Sequence, residues 1–163
     1  MFNKILTALD PVEPDNDVVY KAQSLSRTEN SQLRLLSVLT VDVNSAFVVP
    51  EYSIVGQSYR LNDWNLFEER YKAYKSKNES MLRRLVEQGK ATGIQTDFAQ
   101  VMGSPGREIC NAAKTWSADL IVVGSHQRKG LREMILGSVS NYVLHHAPCS
   151  VLVVHPSIQA SNL

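Results

Sequence analysis

Two stretches hold the residues best suited to chemistry: Gly124-Ser125-His126-Gln127-Arg128-Lys129-Gly130 and, seven residues later, Gly137-Ser138. Glycines let the main chain approach a ligand closely, and a serine at a helix start sets a hydroxyl beside unpaired N–H groups. The helix dipole adds roughly half a positive charge at such an end. Arg128, Lys129 and Arg132 make the loop basic in a chain whose charges otherwise balance, 17 basic against 16 acidic. The chemistry this suits is the holding of an anion. An ordinary strand-to-helix turn with solvated cations has the same residue content, so the loop alone does not decide between them.

Other candidates follow other apolar runs. Asp10-Pro11 comes after the first and offers a carboxylate that can accept hydrogen bonds from sugar hydroxyls, or can cap its own turn. Thr40 and Asp42 follow the second run, and Gly103-Ser104-Pro105-Gly106 the third. There is no G-x-x-x-x-G-K-[ST] phosphate loop, no G-x-G-x-x-G after the first strand and no G-x-S-x-G nucleophile elbow. His145 and His146 are adjacent, so a helix points them about 100° apart and they do not chelate as a pair. His146 reads as a core or interface histidine, and the stripe Trp64, Phe67, Tyr71 and Tyr74 as core packing. Cys110 and Cys149 have no C-x-x-C spacing and read as reduced, small apolar residues.

These residues need a scaffold, and the pattern supplies one. Ile5–Leu9, Leu33–Val41, Ile94–Val101, Leu120–Val123 and Ser150–Val154 are strand candidates, the last two continuous apolar runs that suit burial on both faces. Between them lie four helical segments. The first is Asp15–Arg27, with Val18, Ala22 and Leu25 on one face. The second is long, runs from Trp64 through Leu85 and stops at Gly93. The third is capped at Ser104-Pro105 and carries Ile109, Ala112, Ala113 and Trp116. The fourth opens at Gly137-Ser138 and buries Val139, Tyr142, Val143 and His146. Strand and helix alternate throughout, which predicts an α/β fold: one open, twisted, parallel five-stranded sheet with helices on both faces. Residues 42–61 fit neither period, and an irregular connection of that length is a lid, an interaction loop or a surface excursion.

The 163 residues make about one domain, read as spanning 1–163. A net charge of +1 gives no electrostatic case for nucleic acid or an anionic membrane. The amino terminus is too short in apolar residues for a secretory signal, and the charge-free stretch from Met134 is broken by Gly137, Pro148 and Pro156, so a cytoplasmic protein is expected.

Gly124, two residues, position 127, nine residues, then Gly137-Ser138 resembles the G-2x-G-9x-G-[ST] loop of the universal stress proteins. V-V-G-S-H before it, L-G-S-V-S-N-Y-V-L-H-H-A-P-C-S-V-L-V-V after it, the opening K-I-L-T-A-L-D and A-D-L-I-V-V-G extend the likeness over nearly the whole chain. The resemblance implies the Rossmann-like fold of that family and an adenine-nucleotide site of its ATP-binding branch. Base and ribose contacts would come from Ala8, Leu9, Asp10 and Val38. The phosphates would lie against Gly124, Gly137, Ser138, Val139 and Ser140, through main-chain N–H groups and the two hydroxyls, with Val123 and Gln127 completing the set. His126, Arg128 and Lys129 would screen phosphate charge or remain solvated. A Mg2+ or Mn2+ ion would be held by phosphate oxygens and water. The family also pairs through its closing strand, here Val151-Leu152-Val153-Val154, implying a homodimer.

One residue departs from the pattern: Gln127 stands where the family has its second glycine. If a left-handed backbone is needed there, a non-glycine residue costs roughly 1–2 kcal/mol. Two readings follow, an ATP-binding regulatory homodimer and a dimeric interaction module of the same fold whose nucleotide site Gln127 has closed. No nucleophile–base pair is visible for an enzyme. The S-G-G-x-D-S loop of an adenylate-forming relative is replaced by D-P-V-E-P-D, and the receiver-type acceptor aspartate by Gln100-Val101-Met102-Gly103. Slow ATP hydrolysis is the most that these residues suggest.

Overall fold

Ile, Leu and Val dominate five short runs that pair in parallel, and the chain between them coils wherever its apolar residues return every three or four positions. A computed structural model describes residues 1–40, 59–125 and 136–155, with side chains of the long helix from residue 65 onward. The order is β1 (Lys4–Leu9), α1 (Asn16–Glu29), β2 (Gln32–Leu39), α2 (Tyr59–Ala91), β3 (Thr96–Met102), α3 (Pro105–Trp116), β4 (Leu120–Gly124), α4 (Ser138–His146) and β5 (Ser150–Val154). This is the predicted alternation. The strands form one sheet in the order β3-β2-β1-β4-β5, every described pairing parallel.

Helices cover both faces. On one side Val18, Val19 and Ala22 of α1 and Leu82, Leu85 and Val86 of α2 pack on Ile5, Leu33, Leu35 and Val122. On the other, Ile109 and Ala113 of α3 and Val143 of α4 pack on Leu6, Leu36, Val38, Ile121 and Val123. The amino ends of the central strands are closed by polar contacts. The Asp119 carboxylate accepts from the amides of Asn3 (2.9 Å) and Lys4 (3.1 Å), and Arg34 Nε donates to Asp97 at 2.7 Å over the Trp116 side.

Several boundaries differ from expectation. Residues 59–61, read as irregular, are helical, because α2 starts at Tyr59; residues 42–58 lie outside the described residues. The aromatic stripe of α2 is not core. Phe67, Tyr71 and Tyr74 are half-buried, with Phe67 stacked on Tyr71, and full burial begins only at Asn78, where the helix comes to lie over the sheet; the Trp64 side chain lies outside the described residues. β4 is buried as expected, but β5 is an edge strand with only Val154 buried, since it has β4 on one side alone.

In α4 the buried positions are Ser140 and Val143, while Tyr142 and His146 are exposed. His146 is therefore not a core histidine. Its ring stacks on Tyr142 at 4.0 Å, and its Nδ1 lies 2.8 Å from the Tyr142 carbonyl oxygen. The reason lies in α3: a Cβ at Gly106 would sit 2.6 Å from Tyr142 Cδ1, so the Tyr142 ring fills the space that glycine leaves and sets how α4 is rotated.

Candidate functional site

The strand order reverses between β1 and β4, and in open parallel sheets ligands bind beyond the carboxyl ends of the strands at such a point. A cleft of about 370 Å3 opens there. It is lined by Ala8, Leu9 and Asp10 at the end of β1, Val38 of β2, Val123 and Gly124 of β4, and Gly137, Ser138, Val139 and Ser140 at the start of α4. Ten residues far apart in sequence thus meet in one concavity. Gln127, His126, Arg128 and Lys129 lie outside the described residues. Val151–Val154 stand apart from the cleft, on the sheet edge.

The two sides of the cleft differ in chemistry. On the β1 side, Asp10 Oδ1 accepts from the amides of Val12 (2.8 Å) and Glu13 (2.9 Å), folding the turn around its own carboxylate. Its Oδ2 makes no hydrogen bond among the described residues. Asp15 caps α1 by accepting from the Asp17 amide at 2.8 Å. Its Oδ2 would lie 3.7 Å from a Cβ at Gly124, and Val18 Cγ2 would lie 3.1 Å from the same atom. Glycine at 124 is thus a matter of space, since β4 ends directly against the start of α1.

On the α4 side, the first residue before the helix is Gly137, which has no side chain to cap it. The Asn141 amide is the first to close a helical turn, donating to the Gly137 carbonyl at 2.9 Å. The amides of Ser138, Val139 and Ser140 precede it and have no carbonyl within the helix to reach. Ser140 is buried, and its hydroxyl donates to the Gly124 carbonyl oxygen at 2.7 Å, so at that residue the amide rather than the hydroxyl proton remains for an anion. The floor between the walls is apolar: Ala8, Leu9, Leu36, Val38, Ile109 and Val123. Such a cleft suits a ligand with a flat apolar part, hydroxyls toward Asp10 and an anionic tail toward α4. Among the described residues no group of three His, Cys, Asp or Glu is placed to hold a metal ion.

The model of the universal stress protein family matches residues 1–155. The chain belongs to the universal stress protein family. It is 35% identical over 156 residues to universal stress protein Sll1388 of Synechocystis, an alignment covering 94% of this chain and 97% of that one. The structure of universal stress protein UspA from Lactobacillus plantarum superposes with a TM-score of 0.68 at 21% identity, covering 93% and 97% of the two chains. A universal stress protein crystallised in complex with cAMP superposes with a TM-score of 0.60 at 20% identity, covering 96% and 98%. These structural likenesses establish the shared fold.

Sequence reasoning gave this universal stress protein's cleft no role for Glu13, Asp15, Val18, Leu36 and Ile109, and named Pro11, Pro105 and Ser125 only within candidate stretches after the strands, yet all eight line it. Signals for some were present. Leu36 shares a strand face with Val38 two residues on, and Asp15 two residues before Asp17 has the form of a helix cap. Pro105 and Ile109 enter only because α3 packs beside α4, which no local pattern announces. Ser125 continues β4, its amide donating to the Val154 carbonyl at 2.8 Å, and its buried hydroxyl has no partner among the described residues.

Proposed function

We propose that this universal stress protein is a regulatory module that binds an adenine nucleotide, ATP in the first instance, and works as a homodimer without a dedicated catalytic centre. The observation that carries the reading is the start of α4, where Gly137 supplies no side-chain cap and the amides of Ser138, Val139 and Ser140 have no partner among the described residues, beside a cleft that also holds an apolar floor and the Asp10 carboxylate. A helix start of this kind favours phosphate through both its N–H groups and its dipole. A protein of the same fold has been crystallised with cAMP, itself an adenine nucleotide. In this reading Ala8, Leu9, Asp10 and Val38 hold the nucleoside, and Gly124, Gly137, Ser138, Val139 and Ser140 the phosphates. A Mg2+ or Mn2+ ion would ride on phosphate oxygens. The working unit is one cytoplasmic domain paired through β5, whose exposed edge and 38%-exposed Leu152 suit a second copy.

A second reading, a dimeric interaction module without nucleotide, is favoured by Gln127 at the family's second glycine. Calorimetry with ATP, ADP and AMP separates the two: binding supports the first, and its absence at millimolar nucleotide the second. Gln127→Gly strengthens binding in the first reading if its backbone is left-handed, by about tenfold for 1.4 kcal/mol of relieved strain.

A further inference from the structure

Away from the cleft, α2 buries one amide side chain almost completely: Asn78 is 1% exposed. A buried amide must find partners, and this one reaches toward the strand ends. Its Nδ2 donates to the Pro11 carbonyl oxygen at 3.0 Å, and its Oδ1 accepts from Gln100 Nε2 at 2.6 Å. Gln100 Nε2 also donates to the Lys75 carbonyl oxygen at 3.1 Å, so β3 and α2 are joined as one polar strap.

Pro11 sits inside the turn that carries Asp10. Proline has no N–H to donate, so its carbonyl is the only main-chain group by which the rest of the protein can hold this residue. The turn is therefore fixed from two sides, by Asp10 Oδ1 within and by Asn78 from α2. Tyr74, four residues before Asn78 and so on the same helix face, stands near enough to Asp10 and the Thr40 main chain for both to act on its phenol. A leucine at 78 would fill the space equally well but would take from the Pro11 carbonyl its Asn78 donor and leave the Gln100 amide with the Lys75 carbonyl alone.

We propose that Asn78 is a positioning residue for the nucleoside end of the cleft: its amide holds the Pro11 carbonyl, and through it places the Asp10 carboxylate against the ligand's sugar hydroxyls. This rests on the nucleotide reading above. It assigns to α2, none of whose described side chains lines the cleft, control over how well the sugar is recognised.

The test compares ATP with 2′,3′-dideoxy-ATP, by calorimetry, on the wild type, Asn78→Leu and Asn78→Asp. Asn78→Asp keeps an acceptor for Gln100 and cannot donate to Pro11 when ionised, so it serves if Asn78→Leu does not fold. The wild type should prefer ATP by about tenfold, the ratio that 1.4 kcal/mol of hydroxyl hydrogen bonding produces. In the Asn78 variants that ratio should fall toward one, with dideoxy-ATP bound as by the wild type. General loosening of the fold would weaken both ligands together and leave the ratio in place, and that result overturns the proposal. Equal wild-type affinity for the two nucleotides overturns it also. A wild type that binds neither overturns the nucleotide reading, and this assignment with it.

Discussion

The Ser140 hydroxyl donates to the Gly124 carbonyl oxygen at 2.7 Å, fastening the first turn of α4 to the carboxyl end of β4. The bond joins the two elements proposed to flank the phosphates, and it does so from a side chain with 2% exposure. A hydrogen bond of this kind contributes about 1 kcal/mol net. Ser140→Ala should lower the unfolding free energy by about that amount in urea titration, with an unchanged slope, and should weaken nucleotide binding because the α4 amides lose their register on Gly124.

Gly106 of α3 and the Tyr142 ring of α4 are set so close that a Cβ at 106 would lie 2.6 Å from Tyr142 Cδ1. Gly106→Ala should destabilise the protein by roughly 1–3 kcal/mol, the range for overpacking. Tyr142→Ala should remove most of that penalty. The double-mutant cycle is the measurement, and additive single costs would contradict direct contact as the cause.

Burial pushes the Cys110 and Cys149 thiols up; for Cys149 the Asp119 charge and Cys110 add to it. The thiolate is the reactive form. A raised pKa keeps each group protonated to higher pH, so near pH 8 both should alkylate with iodoacetamide more slowly than free cysteine, whose pKa is about 8.5. Their rates should climb only above that range. Mass spectrometry of the labelled peptides checks it, and faster labelling than free cysteine would be the wrong sign.

Among the described residues β5 has one edge unpaired, and Leu152 is 38% exposed. Sedimentation at micromolar concentration should give a dimer for the wild type and a monomer for Leu152→Asp, since a carboxylate in an apolar contact must be desolvated. A monomeric wild type would remove the paired unit.

Much of this architecture could be read from local pattern. Runs such as Leu120–Val123 are short, apolar and bounded by turn residues, and Ser104-Pro105 and Gly93 mark where helices begin and end. The Ser104 position was legible but its chemistry was not: it is the cap residue of α3 without any side-chain cap bond. What escaped depends on neighbours distant in sequence. The i, i+3, i+4 spacing placed Tyr142 and His146 with Val143 on one face, yet the approach of Gly106 turns that face so that Ser140 and Val143 go inward. The stripe at Phe67, Tyr71 and Tyr74 has helical spacing, but α2 outruns the sheet it packs on. In the cleft, Ala8, Asp10, Val38, Gly124 and Gly137 could be named because each follows or ends an apolar run. Ile109 in the cleft and Asn78 outside it could not be given their roles, because their places are set by packing between elements.

The most direct measurement is an amide-resolved NMR titration of 15N-labelled protein with ATP. Binding at the uncapped start of α4 predicts large shifts of the Ser138, Val139, Ser140 and Gly124 amides, with smaller ones for Val12 and Glu13 beside Asp10. Saturating ATP that leaves those α4 amides in place, or that moves only residues elsewhere, would contradict it.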